Sequence, residues 1–230
     1  MADRIEVLGR ETSVSSSTNK VLRNTYALLG MTMIPTVIGA MIGVSLDFSW
    51  LFATSPIIAL IGIMATVYGM SWLVAKNSNN ASGVWLLFGF TFMMGLLLGP
   101  ILQAALSFSN GAQLVGLAAG GTAASFLTLA AIATNTQRDF SNMSKFLTVG
   151  FVVVLLAIVA NLFFKIPALS LTISAVVVLL MAGFILYEIN QIVRGGERNY
   201  VMATLNIYIS LHNLFTHLLH LLMALMGRDD

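Results

Sequence analysis

The sequence predicts an all-α membrane protein, a polytopic bundle of seven transmembrane helices. Of its 230 residues, 58% are hydrophobic and only 9% are charged, whereas a soluble globular domain carries about 25% charged residues. Seven apolar runs reach or approach the roughly 20 residues that a helix needs to cross a bilayer. These runs are continuous and lack the alternation of membrane β-strands, so we expect helices.

Short loops join the apolar runs and hold nearly all the turn residues and interior charges. Pro56 and Pro167 fall near the starts of two runs, where a missing backbone N–H is tolerated. We expect residues 21–230 to form a single seven-helix membrane domain, because no segment outside the runs is long enough to fold alone. The predicted spans are Asn24–Leu46, Leu51–Ala75, Gly83–Leu106, Ala112–Ala133, Phe146–Phe164, Pro167–Tyr187 and Val201–Met226.

The first 20 residues are polar, include the stretch ETSVSSSTNK, and lack the apolar core of a signal peptide. We expect residues 1–20 to form a flexible tail. Of the 11 Lys and Arg residues, only Lys165 and Arg228 fall outside the N-terminal side and the loops after spans 2, 4 and 6. The positive-inside rule therefore predicts a cytoplasmic N-terminus. The C-terminus is periplasmic if the last run crosses fully, and cytoplasmic if that run is re-entrant.

Several classes of function are disfavoured by the composition. The chain has no cysteine, which removes disulfides, thiolate chemistry and cysteine-based metal sites. The basic residues occur singly in different loops, so no nucleic-acid partner is predicted. No nucleophile elbow or partnered triad is visible. We therefore predict neither an enzyme nor a cofactor.

The third span contains the stretch LLLGPILQ, in which Gly99 and Pro100 weaken one helical turn and Gln103 follows nearly one turn later. This pattern predicts a kink, which either serves packing alone or lines a polar cavity or gate. Three GxxxG pairs are consistent with close helix contacts inside one molecule, or with dimerisation. The pairs are Gly39/Gly43, Gly95/Gly99 and Gly116/Gly120.

The last span carries a stripe of polar side chains spaced by four, three, four and three residues, namely Asn206, Ser210, Asn213, His217 and His220. This spacing keeps them on one face of a helix, flanked by Thr216 and His212. A polar face is costly in lipid, so it should face protein or water, either as interhelical hydrogen bonds or in an aqueous or ion-related role. His217 and His220 could share one ion, but the chain offers few further ligands, so no metal site is predicted.

Glu188 is the one acidic residue within or at the edge of a span after the first loop. It is expected near the cytoplasmic end of span 6. One interpretation is an interfacial carboxylate paired with Arg194 or Arg198. The other is a buried carboxylate that acts as a proton-sensitive latch, because burial disfavours the charged form.

Several of these stretches together resemble the Bax inhibitor-1 family of seven-span membrane proteins. The similarity runs from about Lys20 to the C-terminus and is closest to the bacterial branch, the YccA-like modulators of the FtsH protease. The block around RGGERNY is the most specific. The matching stretches are KVLRNTYALLG, LLLGPIL, GGTAASF, VANLFFKIPALSLTISAVVVLL and ILYEINQIVRGGERNYVMATLNIYISLHNLF.

The resemblance implies a bacterial inner-membrane protein that binds and restrains a membrane-anchored AAA protease of the FtsH type, together with its associated membrane proteins. The wider family implies an alternative, a pH-sensitive calcium or proton leak whose sensor is a pair of carboxylates in spans 6 and 7. Glu188 matches the first position and Ser210 the second, with His212 and Asn213 beside it. With one carboxylate replaced by a hydroxyl, only weak cation binding is expected.

Overall fold

The computed structural model describes residues 2–46, 54–136 and 138–228, with side chains from Asn19 onward except that of Pro56. Within these described residues, seven stretches of helix are long and apolar enough to cross a membrane, which confirms the predicted all-α seven-span architecture. Leu98 divides span 3 into two helices. We number the spans 1 to 7 along the chain. The helices are Ala2–Leu46, Pro56–Asn77, Ala81–Leu97, Gly99–Leu106, Gly111–Asn135, Met143–Phe164, Pro167–Val193 and Tyr200–Met226.

The helix boundaries differ most from the predicted ones in three places. Span 2 begins at Pro56, since proline fits the first helical turn; residues 47–53, where part of its predicted start falls, lie outside the described residues. Span 6 continues to Val193, beyond the predicted end at Tyr187, and so contains Glu188. The helix of span 1 begins at Ala2, and its apolar part begins at Asn19. The flexibility of residues 1–20 stays a prediction.

Span 7 lies at the centre of the bundle. It packs against spans 1, 2, 3, 4 and 6, whereas span 5 packs chiefly against span 6. The largest fully buried side chains are concentrated around this centre, including Phe90, Ile185, Ile189, Ile207 and Tyr208. Large apolar side chains such as Leu127, Leu156 and Leu179 are exposed on the outside. A bilayer would cover that apolar surface, as the composition requires.

Spans 1 and 3 approach so closely that glycine is required at their contact. A Cβ atom on Gly39 would collide with the carbonyl oxygen of Phe92, and one on Gly43 with that of Leu96. In return, Gly95 and Gly99 face backbone atoms of span 1. Two of the three predicted GxxxG pairs therefore pack against each other inside one molecule.

The two ends of span 7 lie at opposite ends of the bundle. Near its start, the Asn199 side chain donates a hydrogen bond to Asn79 in the loop after span 2 (3.0 Å). Beyond its end, the Arg228 carbonyl accepts a hydrogen bond from the Ser109 amide in the loop after span 3 (3.1 Å). The helix has 27 residues, about 40 Å of length, which exceeds a hydrocarbon core of about 30 Å. These contacts fit a complete crossing better than a re-entrant segment.

Candidate functional site

Glu188 and Ser210 meet where spans 6 and 7 pack together. The Ser210 hydroxyl oxygen lies 3.3 Å from Oε2 and 3.5 Å from Oε1 of Glu188, so the hydroxyl donates to this carboxyl group. Ser210 is buried, and Glu188 is partly buried. The structure thus brings together the two residues that the resemblance paired. Their chemistry is that of one ionisable group and one neutral hydroxyl.

The Glu188 carboxyl group lies inside span 6 because the helix continues for more than one turn beyond it, to Val193. Asn190, which is fully buried, holds that extension against the loop after span 4. Its side chain accepts a hydrogen bond from the Phe140 amide (3.2 Å) and donates one to the Arg138 carbonyl (3.2 Å). Gln191 donates to the Ser141 hydroxyl (3.0 Å). These contacts satisfy polar side chains that would otherwise end the span earlier.

The two arginines expected near Glu188 have other surroundings. Arg198 donates a hydrogen bond from Nε to the carbonyl of Gly195 (3.2 Å). Arg194 lies close enough to Asp139, in the loop after span 4, for its charge to act on that carboxylate. Hydrogen bonds from the Ser141 side chain and amide, with a smaller effect of Arg194, hold the pKa of Asp139 below its ordinary value. Glu188 itself accepts a hydrogen bond from the Ser210 hydroxyl.

The polar stripe of span 7 divides into groups with different partners. His217 and His220 both contact the hydroxyl of Ser174 in span 6. Asn213 donates to the carbonyl of Ile209 on its own helix (2.9 Å). Asn206 is partly buried.

His212 lies beside the stripe, with its ring centroid 6.0 Å from that of Tyr208. Three members of the stripe, Ser210, His217 and His220, contact span 6, so much of the stripe faces that span. The predicted interhelical hydrogen bonds are present at Ser210, His217 and His220.

The predicted kink in span 3 joins this span to span 1. The helix is interrupted at Leu98, just before Gly99 and Pro100. Gln103 donates a hydrogen bond to the carbonyl of Val44 near the end of span 1 (2.6 Å). These contacts show a packing role for the kink, and a gating role stays a prediction.

Sequence reasoning did not predict two residues that contact the candidate site or its neighbours, Ser174 and Tyr208. Ser174 was overlooked, although an isolated hydroxyl in the apolar stretch LSLTISAVVV was a usable signal. Tyr208 was overlooked because a tyrosine in an apolar span gives no sign of its depth. Its hydroxyl contacts Thr36 (2.8 Å) and the carbonyl of Thr91 (3.2 Å). Among the described residues, no three His, Asp or Glu side chains gather into a group that could hold a metal ion.

Comparison with known proteins agrees with this architecture. The family model described as "Inhibitor of apoptosis-promoting Bax1" matches residues 18–228. The chain belongs to the Bax inhibitor-1 family. The match includes all seven spans and both members of the Glu188–Ser210 contact.

Relatives in the Bax inhibitor-1 family match nearly the whole chain. An uncharacterized protein of Neisseria meningitidis serogroup B is 44% identical over 95% of this chain and 96% of its own length. The modulator of FtsH protease YccA of Escherichia coli K12 is 40% identical over 96% of this chain and 97% of its own length. An uncharacterized protein of Pseudomonas aeruginosa is 40% identical over 91% of both chains. The E. coli strain CFT073 relative carries the name inner membrane protein YccA, which supports a multi-pass inner-membrane location.

Proposed function

We propose that this chain binds a membrane-anchored AAA protease of the FtsH type, with its associated membrane proteins, and restrains it. The observation that carries the proposal is the 40% identity, over nearly the full length of both chains, to a protein named modulator of FtsH protease. The match extends over nearly the whole chain, as a binding surface built from several spans would require.

The proposed regulator has its N-terminus on the cytoplasmic side and its C-terminus in the periplasm. The distribution of Lys and Arg supports this orientation. The stretch before Asn19 would then lie on the side where an ATP-driven protease acts. We propose that this stretch is where the protease engages the chain.

Co-purification from native membranes tests the binding. The untagged chain is expected to co-purify with a tagged, proteolytically inactive FtsH-type protease, and overexpression is expected to slow degradation of a membrane substrate. A variant with residues 2–18 replaced by a Gly/Ser stretch of equal length should itself be degraded more slowly while still associating. Association no stronger than that of an unrelated seven-span protein would refute the proposal.

A second candidate is a pH-sensitive cation leak, which the Glu188–Ser210 contact favours. One ionisable group between two helices can couple its protonation to their packing. Reconstituted protein would then show calcium or proton flux that changes between pH 5 and 8 and is altered by Glu188→Gln. Glu197→Gln is the matched control, since Glu197 lies in the loop and accepts a hydrogen bond from the Asn199 amide (2.7 Å). Flux equal to that of protein-free vesicles would exclude the leak.

A further inference from the structure

A buried serine in span 6 is shared by two histidines of span 7. The Ser174 hydroxyl oxygen lies 2.9 Å from Nδ1 of His220 and 3.0 Å from Nδ1 of His217. Ser174 is 2% exposed, whereas both imidazoles are partly exposed. Two ring nitrogens and one oxygen therefore converge on a small volume between two spans.

Counting protons shows that the two rings are not equivalent. A serine hydroxyl has one proton to donate, so it can donate to only one of the two Nδ1 atoms. The other neutral ring must then carry its proton on Nδ1 and donate to the serine oxygen. If that proton moves to Nε2, both Nδ1 atoms and the serine oxygen can each offer a lone pair to an ion between them.

We propose that Nδ1 of His217, Nδ1 of His220 and the Ser174 oxygen form a binding site for a late divalent transition-metal ion such as Cu²⁺ or Ni²⁺. Imidazole nitrogen is a preferred ligand of these ions. With metal–ligand bonds of about 2.1 Å, neighbouring ligands at right angles lie about 3.0 Å apart, against about 3.4 Å in a tetrahedron. The two nitrogen–oxygen separations, 2.9 and 3.0 Å, match ligands at right angles, the arrangement that Cu²⁺ and Ni²⁺ favour.

Metal binding at this site requires no gain or loss of protons. Both imidazoles bind as Nε2–H tautomers, and the serine oxygen binds as a neutral hydroxyl. The chain contributes three ligand atoms, and any remaining ligands would have to come from outside it.

The proposed metal ion would connect spans 6 and 7 at the end of this helix pair that is opposite to Glu188. Ser174 lies seven residues after Pro167, the first residue of the span 6 helix, whereas Glu188 lies five residues before its last residue. A ligand that binds only the folded state stabilises it. Metal occupancy would therefore hold the two central helices together independently of the carboxyl group.

Titration of the full-length, tag-free protein in detergent with Cu²⁺ tests the proposal, with electron paramagnetic resonance as the readout. We expect one ion per chain with two nitrogen ligands. His217→Gln and His220→Gln should each weaken binding at least about tenfold, and Ser174→Ala severalfold. His212→Gln is the matched control and should bind like the wild type, because its ring packs beside Tyr208.

Two results would overturn the proposal. One is a wild-type spectrum that shows fewer than two nitrogen ligands on the Cu²⁺ ion. This result does not depend on the folding of any variant. The other is undiminished Cu²⁺ binding by the His217→Gln/His220→Gln double variant. Thermal unfolding without metal identifies variants that fail to fold, and a metal-induced rise in the unfolding temperature of the wild type gives an independent readout.

Discussion

The hydroxyl of Tyr208 in span 7 lies 2.8 Å from Oγ1 of Thr36 in span 1. It also donates toward the carbonyl of Thr91 in span 3 (3.2 Å). One phenol group thus connects three spans at the centre of the bundle. Within a membrane, each such side-chain contact contributes about 0.6 kcal/mol on average, with a maximum near 1.7 kcal/mol.

Replacing Tyr208 by Phe removes these hydrogen bonds and keeps the ring. We expect the free energy of unfolding to fall by about 1 kcal/mol. Tyr68→Phe is the matched control, because Tyr68 is 53% exposed, and it should change stability by less than about 0.5 kcal/mol. Thermal unfolding in detergent measures both variants. Equal effects of the two substitutions would contradict the connecting role of Tyr208.

The glycine contact between spans 1 and 3 predicts a large effect of one methyl group. Gly43→Ala would place a Cβ atom against the Leu96 carbonyl oxygen, and we expect a loss of about 1–3 kcal/mol. Gly116→Ala adds the same methyl group where no atom lies within 4 Å. It should leave stability unchanged or raise it by up to about 1 kcal/mol, because Ala favours helix. Unfolding temperatures that fall equally would show that spans 1 and 3 are not in close contact.

Gln103→Leu should weaken the contact between the ends of spans 1 and 3. The substitution retains most of the side-chain volume but removes the donor to the Val44 carbonyl. We expect a loss of about 1 kcal/mol, and faster hydrogen exchange near residue 44. Gln113→Leu, at an exposed position of span 4, is the control. Unchanged hydrogen exchange near residue 44 in the Gln103→Leu variant would argue against a stabilising role of the Gln103–Val44 hydrogen bond.

Asp139 predicts an acid-dependent contribution to stability. Its folded pKa is lower than the ordinary value of 3.8, chiefly because of hydrogen bonds from Ser141. The unfolded state therefore takes up the proton first, so the contribution is complete above pH 3.8 and is lost as the pH falls through the folded pKa. The stability difference between wild type and Asp139→Asn should stay constant from pH 7 to 5 and shrink below pH 3.8. A difference that is the same at pH 3 and pH 7 would refute this assignment.

Ser210→Asp should create the carboxylate pair that the wider family suggests. The new side chain would face Glu188, whose carboxyl oxygens lie 3.3 and 3.5 Å from the present hydroxyl. Two carboxylates so close share a proton or bind a cation. We expect a severalfold gain in calcium binding or calcium flux over the wild type. Ser210→Asn, equal in size and uncharged, should show no gain, and adding Glu188→Gln should abolish it.

Apolar runs sufficed to predict the spans, because hydrocarbon demands about 20 apolar residues in each helix. They did not predict the end of span 6, since Glu188, Asn190 and Gln191 interrupt the apolar pattern. Those side chains remain in the helix because Ser210 and the loop after span 4 satisfy them. Partners distant in sequence decide such boundaries, and spacing along one helix carries no information about them.

The same limit applies to the candidate site. Helical spacing predicts that Ser210, His217 and His220 share one face, and in the structure all three contact span 6. It could not show that both histidines share Ser174, which lies more than 40 residues earlier. The family resemblance supplied the Glu188–Ser210 pair, and the packing of spans 6 and 7 brings it within hydrogen-bonding distance.

The attachment of span 1 has a mechanical consequence. Its glycines meet span 3, Thr36 meets Tyr208, and the Val44 carbonyl meets Gln103, so these attachments all lie between Thr36 and Val44, near the end of the helix. A motor that pulls on the residues before Asn19, parallel to the helix axis, would apply shear force to all these contacts at the same time. Peeling would load them one after another and require less force. The first segment that such a motor pulls is therefore firmly anchored against extraction.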